Sequence, residues 1–275
     1  MIPRNQSGVP AISVSNVSFS YVQRKQQSPE AALQGIRMHI PEGKIVGILG
    51  PNGSGKSTLL KLIAKLLPTQ DGSIEVFGKS LKDLTARDVA TSVAYVPQET
   101  LQVFPFTIGE MVLMGRSPHH RGWGGWHWED QEDREIASAA MHELNVWHLA
   151  SRLVSDVSGG ERQRAVIARA LAQQPRVLLL DEPTAFLDLH HQVDIATILR
   201  RLNREGGLTV VLVSHDVNLA SQYCDRIFLL NRGKIVQEGS PESVIREEVL
   251  QRVYGCSVLV DRHPQTGLPR VSLPV

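Results

Sequence analysis

Gly50-Pro-Asn-Gly-Ser-Gly-Lys-Ser-Thr58 is the most telling stretch of this chain. The stretch fits the pattern G-x-x-x-x-G-K-[ST], with Gly50, Gly55, Lys56 and Ser57 at the fixed positions. The apolar run Ile45 to Leu49 precedes it and the periodic segment Ser57 to Leu67 follows, so it reads as a loop between a strand and a helix. Glycines let backbone N–H groups turn inward onto phosphate oxygens, and a helix N-terminus adds positive dipole at the same place. Lys56 would reach the β- and γ-phosphates, and the Ser57 hydroxyl would bind Mg²⁺. Asn52, Gly53, Ser54, Gly55 and Thr58 join them as the nucleotide-binding set. The bland alternative is a glycine-rich turn with a surface lysine, which the flanking strand and helix disfavour.

Val177-Leu-Leu-Leu-Asp181-Glu182-Pro183 makes the reading more specific. Bulky apolar residues without alternation predict a strand buried on both faces of a parallel sheet. Ligands of such sheets collect at the carboxyl ends of the strands. Asp181 is therefore placed to hold Mg²⁺ through water, and Glu182 to take a proton from an attacking water. A solvated acidic turn is the alternative; the phosphate loop upstream favours catalysis.

Between these stretches lies Val157-Ser158-Gly159-Gly160-Glu161-Arg162-Gln163-Arg164. Ser158 and Glu161 form a capping-box pattern, so a helix start is the simplest reading. Each glycine weakens such a start by about 0.5–1 kcal/mol relative to Ala, which suggests a need for bare backbone close to something. The string resembles the signature motif of ATP-binding cassette (ABC) proteins, usually written LSGGQ, with Val157 for Leu and Glu161 for Gln. The resemblance implies phosphate contact through Ser158, Gly159 and Gly160 and leaves the role of Glu161 open.

Other elements stand in that family's order. Tyr21, after the alternating Val17 to Phe19, resembles the aromatic that stacks on adenine; an ordinary strand-end tyrosine is the alternative. Gln98 resembles the glutamine that ligates Mg²⁺ and senses the transporter partner. Asp188 resembles the D-loop aspartate, although the family more often has Ser-Ala where Ala185-Phe186 stand. His215 resembles the switch histidine that contacts the γ-phosphate. The resemblance runs from about Ile12 to Tyr254. A narrower one, Met111 to His119, is to the ATPases of iron-siderophore, haem and cobalamin importers.

Composition agrees. The 275 residues are 42% hydrophobic, enough for a substantial core, and a net charge of +1 gives no bulk drive toward nucleic acid or an anionic membrane. No apolar stretch approaches the roughly 18 residues of a membrane-spanning helix, and no secretory signal or internal repeat is visible. Cys224 and Cys256 lack metal-type spacing and read as small buried apolar residues in a reducing compartment. Arg116 to Trp128 carries three of the four tryptophans. It reads as a packed surface loop, or as a docking surface for a membrane partner. A metal site at His119, His120 and His127 is disfavoured, because no Cys or Asp joins them.

The expected fold class is α/β: a P-loop cassette with a RecA-like core, an N-terminal antiparallel β subdomain and an inserted helical subdomain. Residues 11–240 would form the cassette, with about 100–157 inserted. Residues 241–275 would be a C-terminal helix, capped at Ser240-Pro241, and a short hairpin turned at Gly267 to Pro269. The resemblance implies an importer ATPase that binds ATP and Mg²⁺, peripheral on the cytoplasmic face of the cell membrane. Two copies would pair head to tail on two transmembrane permease subunits, served indirectly by a substrate-binding protein. Catalysis would rest on Glu182, His215 and Gln98, and Mg²⁺ on Ser57, Gln98 and Asp181. The alternatives are an importer ATPase for another small solute and a non-transport soluble cassette ATPase; long coiled coils or a second cassette would favour the latter, and the sequence shows neither. A small nucleotide kinase would not need Ser158 to Glu161.

Overall fold

A computed structural model describes residues 8–21, 31–98, 105–120 and 130–274. Strands β1 (Ile12–Ser20) and β2 (Ala31–Ile40) pair antiparallel, with Val14 opposite Met38 and Val17 opposite Ile36. The alternation of Ile36, Met38 and Ile40 buries all three. Strand β3 (Ile45–Leu49) runs into the glycine loop and helix α1 (Lys56–Ile63). β4 (Asp71–Val76) and the short β5 (Lys79–Ser80) complete a four-stranded antiparallel sheet, ordered β2-β1-β4-β5.

Helix α2 (Ala86–Ala90) precedes β6 (Val93–Val96). A helical section follows: α3 (Ile108–Leu113), the 3-10 helix Met114–His119, α4 (Gln131–Glu143) and α5 (Gly159–Ala172). The predicted capping box opens α3, with Glu110 and Thr107 bonding reciprocally. Next come β7 (Val177–Asp181), α6 (Leu189–Gly206), β8 (Thr209–Val213) and α7 (Val217–Tyr223). The hairpin β9 (Arg226–Asn231) and β10 (Lys234–Gly239) turns at Arg232 and Gly233, both with positive φ, 46° and 74°. The large sheet runs β10-β9-β3-β8-β7-β6 and is parallel throughout except at β10.

The unbroken apolar runs follow from this layering. Leu178 and Leu180 enter a core shared with the helical section, whereas Val177 and Leu179 enter a second core against α1 and the small sheet. Each strand residue thus has an apolar layer to fill whichever way it points.

Two details depart from the sequence reading. The segment after β10 is two helices, α8 (Pro241–Val244) and α9 (Glu247–Tyr254), because Ile245 leaves helical geometry (φ −86°, ψ 85°) to enter the core. Strands β11 (Leu259–Arg262) and β12 (Pro269–Ser272) then form the expected hairpin. Cys224 is buried, but Cys256 is exposed, just past the left-handed Gly255 that ends α9. His119 and His120 serve the chain itself: His119 Nε2 bonds the Gln173 carbonyl, and His120 pairs with Asp133 at 2.7 Å. His127, Trp123, Trp126 and Trp128 lie outside the described residues. Among the described residues no group of His, Cys, Asp and Glu could hold a metal ion by itself, and no helix is long and apolar enough to cross a membrane.

Candidate active site

The parallel order brings the carboxyl ends of β3, β6, β7 and β8 to one edge, and the candidate residues stand there. The glycine loop follows β3. A Cβ on Gly50 would lie 2.1 Å from the Leu230 carbonyl oxygen, and one on Gly55 2.5 Å from that of Ala32. Both positions also have positive φ, so only glycine lets the loop lie this close to its neighbours. Gly55 caps α1 without a side-chain acceptor, leaving the first amides of the helix to an anion.

Lys56 is buried, and its Nζ donates to the carbonyls of Gly50 and Pro51 at 2.8 and 3.0 Å. Burial pushes its pKa down, while the negative fields of Glu182 and Asp181 pull it back up. Ser57 Oγ donates to Asp181 Oδ1 at 2.9 Å. The second oxygen of Asp181 accepts from the Tyr95 hydroxyl at 3.1 Å. Burial raises the Asp181 carboxyl despite these two hydrogen bonds, which act to lower it. A hydroxyl beside a buried carboxylate is an all-oxygen donor set that suits Mg²⁺.

Tyr95 is absent from the sequence-derived set. Its signal was a hydroxyl in the otherwise apolar Val93 to Val96, which demands a partner once the ring is buried. Burial and the Asp181 charge push its phenol well up, so it stays a donor.

Glu182 follows Asp181 with a positive φ of 51°, a conformation that costs of order 1–3 kcal/mol in a non-glycine residue. Its amide bonds the Val213 carbonyl at 3.0 Å. One oxygen, Oε2, accepts from both Gln98 Nε2 at 3.0 Å and His215 Nδ1 at 3.2 Å. Three separate sequence motifs thus meet on one atom.

Lys56, Ser57, Gln98, Glu182 and His215 border a cavity of about 730 Å³ that also includes Tyr21 and residues 52–55 and 58, while Asp181 lies behind it, reached through Ser57. Tyr21 is 46% exposed, packs edge-on against Phe19 and bonds Thr58 Oγ1 at 3.1 Å, leaving a ring face for an aromatic ligand. Phe186, 91% exposed with φ 62°, stands at the rim.

Ser158, Gly159, Gly160, Glu161 and Asp188 do not reach this cavity. Ser158 and Glu161 form the expected capping box: the Glu161 carboxylate accepts from the Ser158 amide and hydroxyl, both at 2.8 Å. Those bonds hold its carboxyl below the usual range. Asp188 caps α6.

The family model for the ABC transporter matches residues 33–185. The chain is 43% identical to the petrobactin import ATP-binding protein FpuC of Bacillus anthracis, over 90% of this chain and 88% of that protein. It is 44% identical to the hemin import ATP-binding protein HmuV of Gloeobacter violaceus, over 87% of each. Among solved structures, a chain of a transporter described as metal-chelate type, in an inward-facing conformation, superposes with TM-score 0.81 at 30% identity, over 96% of this chain and 97% of that one. The ATP-binding cassette MJ0796, dimeric and bound to ADP and Pi after hydrolysis, gives 0.72 at 31% identity, over 83% and 98%. Phosphate loop, sheet order and sequence all point the same way, and the chain belongs to the ABC transporter family as one of its ATP-hydrolysing ATP-binding proteins.

Proposed function

We propose that this chain is the ATPase subunit of an importer of a metal chelate: siderophore-bound iron, haem or cobalamin. The observation that carries the ATPase chemistry is the meeting of Gln98 and His215 on Glu182 Oε2, beside the Ser57–Asp181 pair. The cargo class rests on relatives whose names specify petrobactin, hemin and ferric enterobactin import. Met111 to His119 adds less than its sequence suggests, because its residues serve internal packing. Gly115 lies where a Cβ would meet the Arg169 carbonyl at 2.1 Å, and Arg116 is buried on Asp133 at 2.7 Å.

In this reading Tyr21 stacks on adenine, and residues 50–58 cradle the phosphates. Ser57, Asp181 and Gln98 would hold Mg²⁺, which when bound neutralises phosphate charge. Glu182 takes the proton of the attacking water. His215, held by its bond to Glu182, turns its other ring nitrogen to the γ-phosphate. Two copies pair head to tail, so that each ATP lies between one chain's phosphate loop and the other's Ser158 to Gly160; Glu161 and Asp188 fix that second surface as helix caps. Residues 11–240 act as the ATPase cassette, with about 100–157 as its helical insert and 241–275 as an appended tail. The subunit sits on two permease subunits at the cytoplasmic membrane face, with a substrate-binding protein delivering cargo outside.

Size exclusion of Glu182→Gln with ATP and Mg²⁺ should show a dimer. Adding Gly159→Asp should abolish it by bringing a carboxylate onto the partner's phosphates. A Cβ at Gly159 meets nothing nearer than Leu187 Cδ2 at 3.9 Å, so the lone chain accommodates the change. A dimer that survives in the double variant refutes the shared site. For cargo, ATPase stimulation in vesicles carrying the permease is measured with each candidate on its binding protein. Stimulation by a sugar or amino acid and by no chelate refutes the cargo class alone.

A further inference from the structure

We infer that His191 is a positioning residue that ties the loop after Glu182 to the start of helix α5, so that each chain links the two ATP sites it serves. The inference rests on the head-to-tail reading above and adds a residue to it. Asp188 Oδ1 accepts from the His191 amide at 3.0 Å and from His191 Nδ1 at 2.7 Å. An ionised carboxylate can only accept, so Nδ1 carries the proton and the ring orientation is set. The His191 backbone and side-chain bonds hold the Asp188 carboxyl below its usual range.

The opposite edge of the imidazole lies on Gly160. A Cβ there would come within 2.0 Å of His191 Cδ2, 2.4 Å of Cγ and 2.5 Å of Nε2. The two glycines of the signature therefore do different work. Gly159 is exposed and open toward solvent, while Gly160 is buried beneath the ring and must be bare because His191 occupies the space of its side chain. The need for bare backbone at Gly160 is met inside the chain.

The path from Glu182 to the ring is short and hydrogen-bonded. The Ala185 amide bonds the Glu182 carbonyl at 3.1 Å, the Leu187 amide the Thr184 carbonyl at 3.4 Å, and the Gln192 amide the Asp188 carbonyl at 3.0 Å, while Gln192 Nε2 donates to the Leu187 carbonyl at 2.9 Å. In this proposal a shift of that turn during hydrolysis is passed along it to Asp188, and through His191 to the surface that faces the partner's ATP. The coupling is a contact between packed groups and requires no domain rearrangement.

The test uses the full chain and has two arms. In the first, amide hydrogen exchange at Glu161 and Arg162, whose amides bond Ser158, is compared between wild type and His191→Ala without nucleotide. Exchange should quicken by about 2- to 10-fold, the scale of one ordinary net hydrogen bond's worth of local stability. In the second, the ATP concentration for half-maximal dimerisation is measured in the Glu182→Gln background. His191→Ala should raise it by a similar factor with nucleotide affinity of the single chain kept, since His191 does not border the cavity. Gly160→Ala should dimerise poorly, and Gly160→Ala/His191→Ala should regain part of the loss, because the clash has gone. Unchanged exchange, or additive defects in the double variant, overturns the role of His191 and spares the composite site. Absence of any ATP-dependent dimer in Glu182→Gln itself, with exchange still altered by His191→Ala, overturns the head-to-tail reading and the link between sites with it.

Discussion

Glu182→Gln separates binding from chemistry. The substitution keeps the length and planarity of the side chain, so Gln98 Nε2 and His215 Nδ1 still find an oxygen where they now donate at 3.0 and 3.2 Å. It removes the basic lone pairs that would accept the water proton. The loss of a positioned general base is worth roughly 10²–10⁴ in turnover, or about 2.7–5.4 kcal/mol at 1.36 kcal/mol per decade. Binding should change far less. The residue meets Lys56 only through its field, and Lys56 keeps both carbonyl partners in the loop as well as the field of Asp181. The assay is steady-state phosphate release at saturating ATP and Mg²⁺, paired with a calorimetric titration of nucleotide. Turnover should fall by at least about a hundredfold while the dissociation constant stays within about threefold, equivalent to roughly 0.7 kcal/mol. Near-normal phosphate release would refute the assignment of the base. A matching collapse of affinity would refute the separation of roles.

Leu180→Ala, one residue before Asp181 in a fully buried position, should destabilise the chain by about 2–5 kcal/mol, read from denaturant midpoints. Tyr95→Phe removes a donor from Asp181 Oδ2 and should raise the Mg²⁺ concentration for half-maximal ATPase by about tenfold, with little change in melting temperature. Ser158→Ala should cost about 0.5–2 kcal/mol through the lost cap, which urea titration at neutral pH would detect. The Glu161 carboxyl is depressed in the folded chain, so its stabilisation is present above the unfolded value of 4.5 and fades as pH falls through the lower folded value. The stability difference between wild type and Glu161→Gln should therefore shrink in acid below that value, and a difference that grows there would contradict the cap.

Much of the molecule was legible in the sequence because its signals are local. The strand–loop–helix unit at residues 45–63 follows from a motif read within one short stretch, and the caps at Thr107 and Ser158 follow from a hydroxyl and a carboxyl three residues apart. The buried strands β7 and β8 follow from runs with no polar side to present to water. What the sequence left unread depends on which segments become neighbours. Gln98 and Glu182 are 84 positions apart, and Tyr95 and Asp181 are 86 apart; only the pairing of β6 beside β7 sets their reach. The exposure of Cys256 and the break at Ile245 turn on how the last helices meet the core. The two glycines of the signature look equivalent in sequence, yet one is open and the other lies under His191. Local patterns are set by backbone geometry within a few residues. Convergence on a single carboxylate oxygen is set by strand order and register, which no short stretch of the chain encodes.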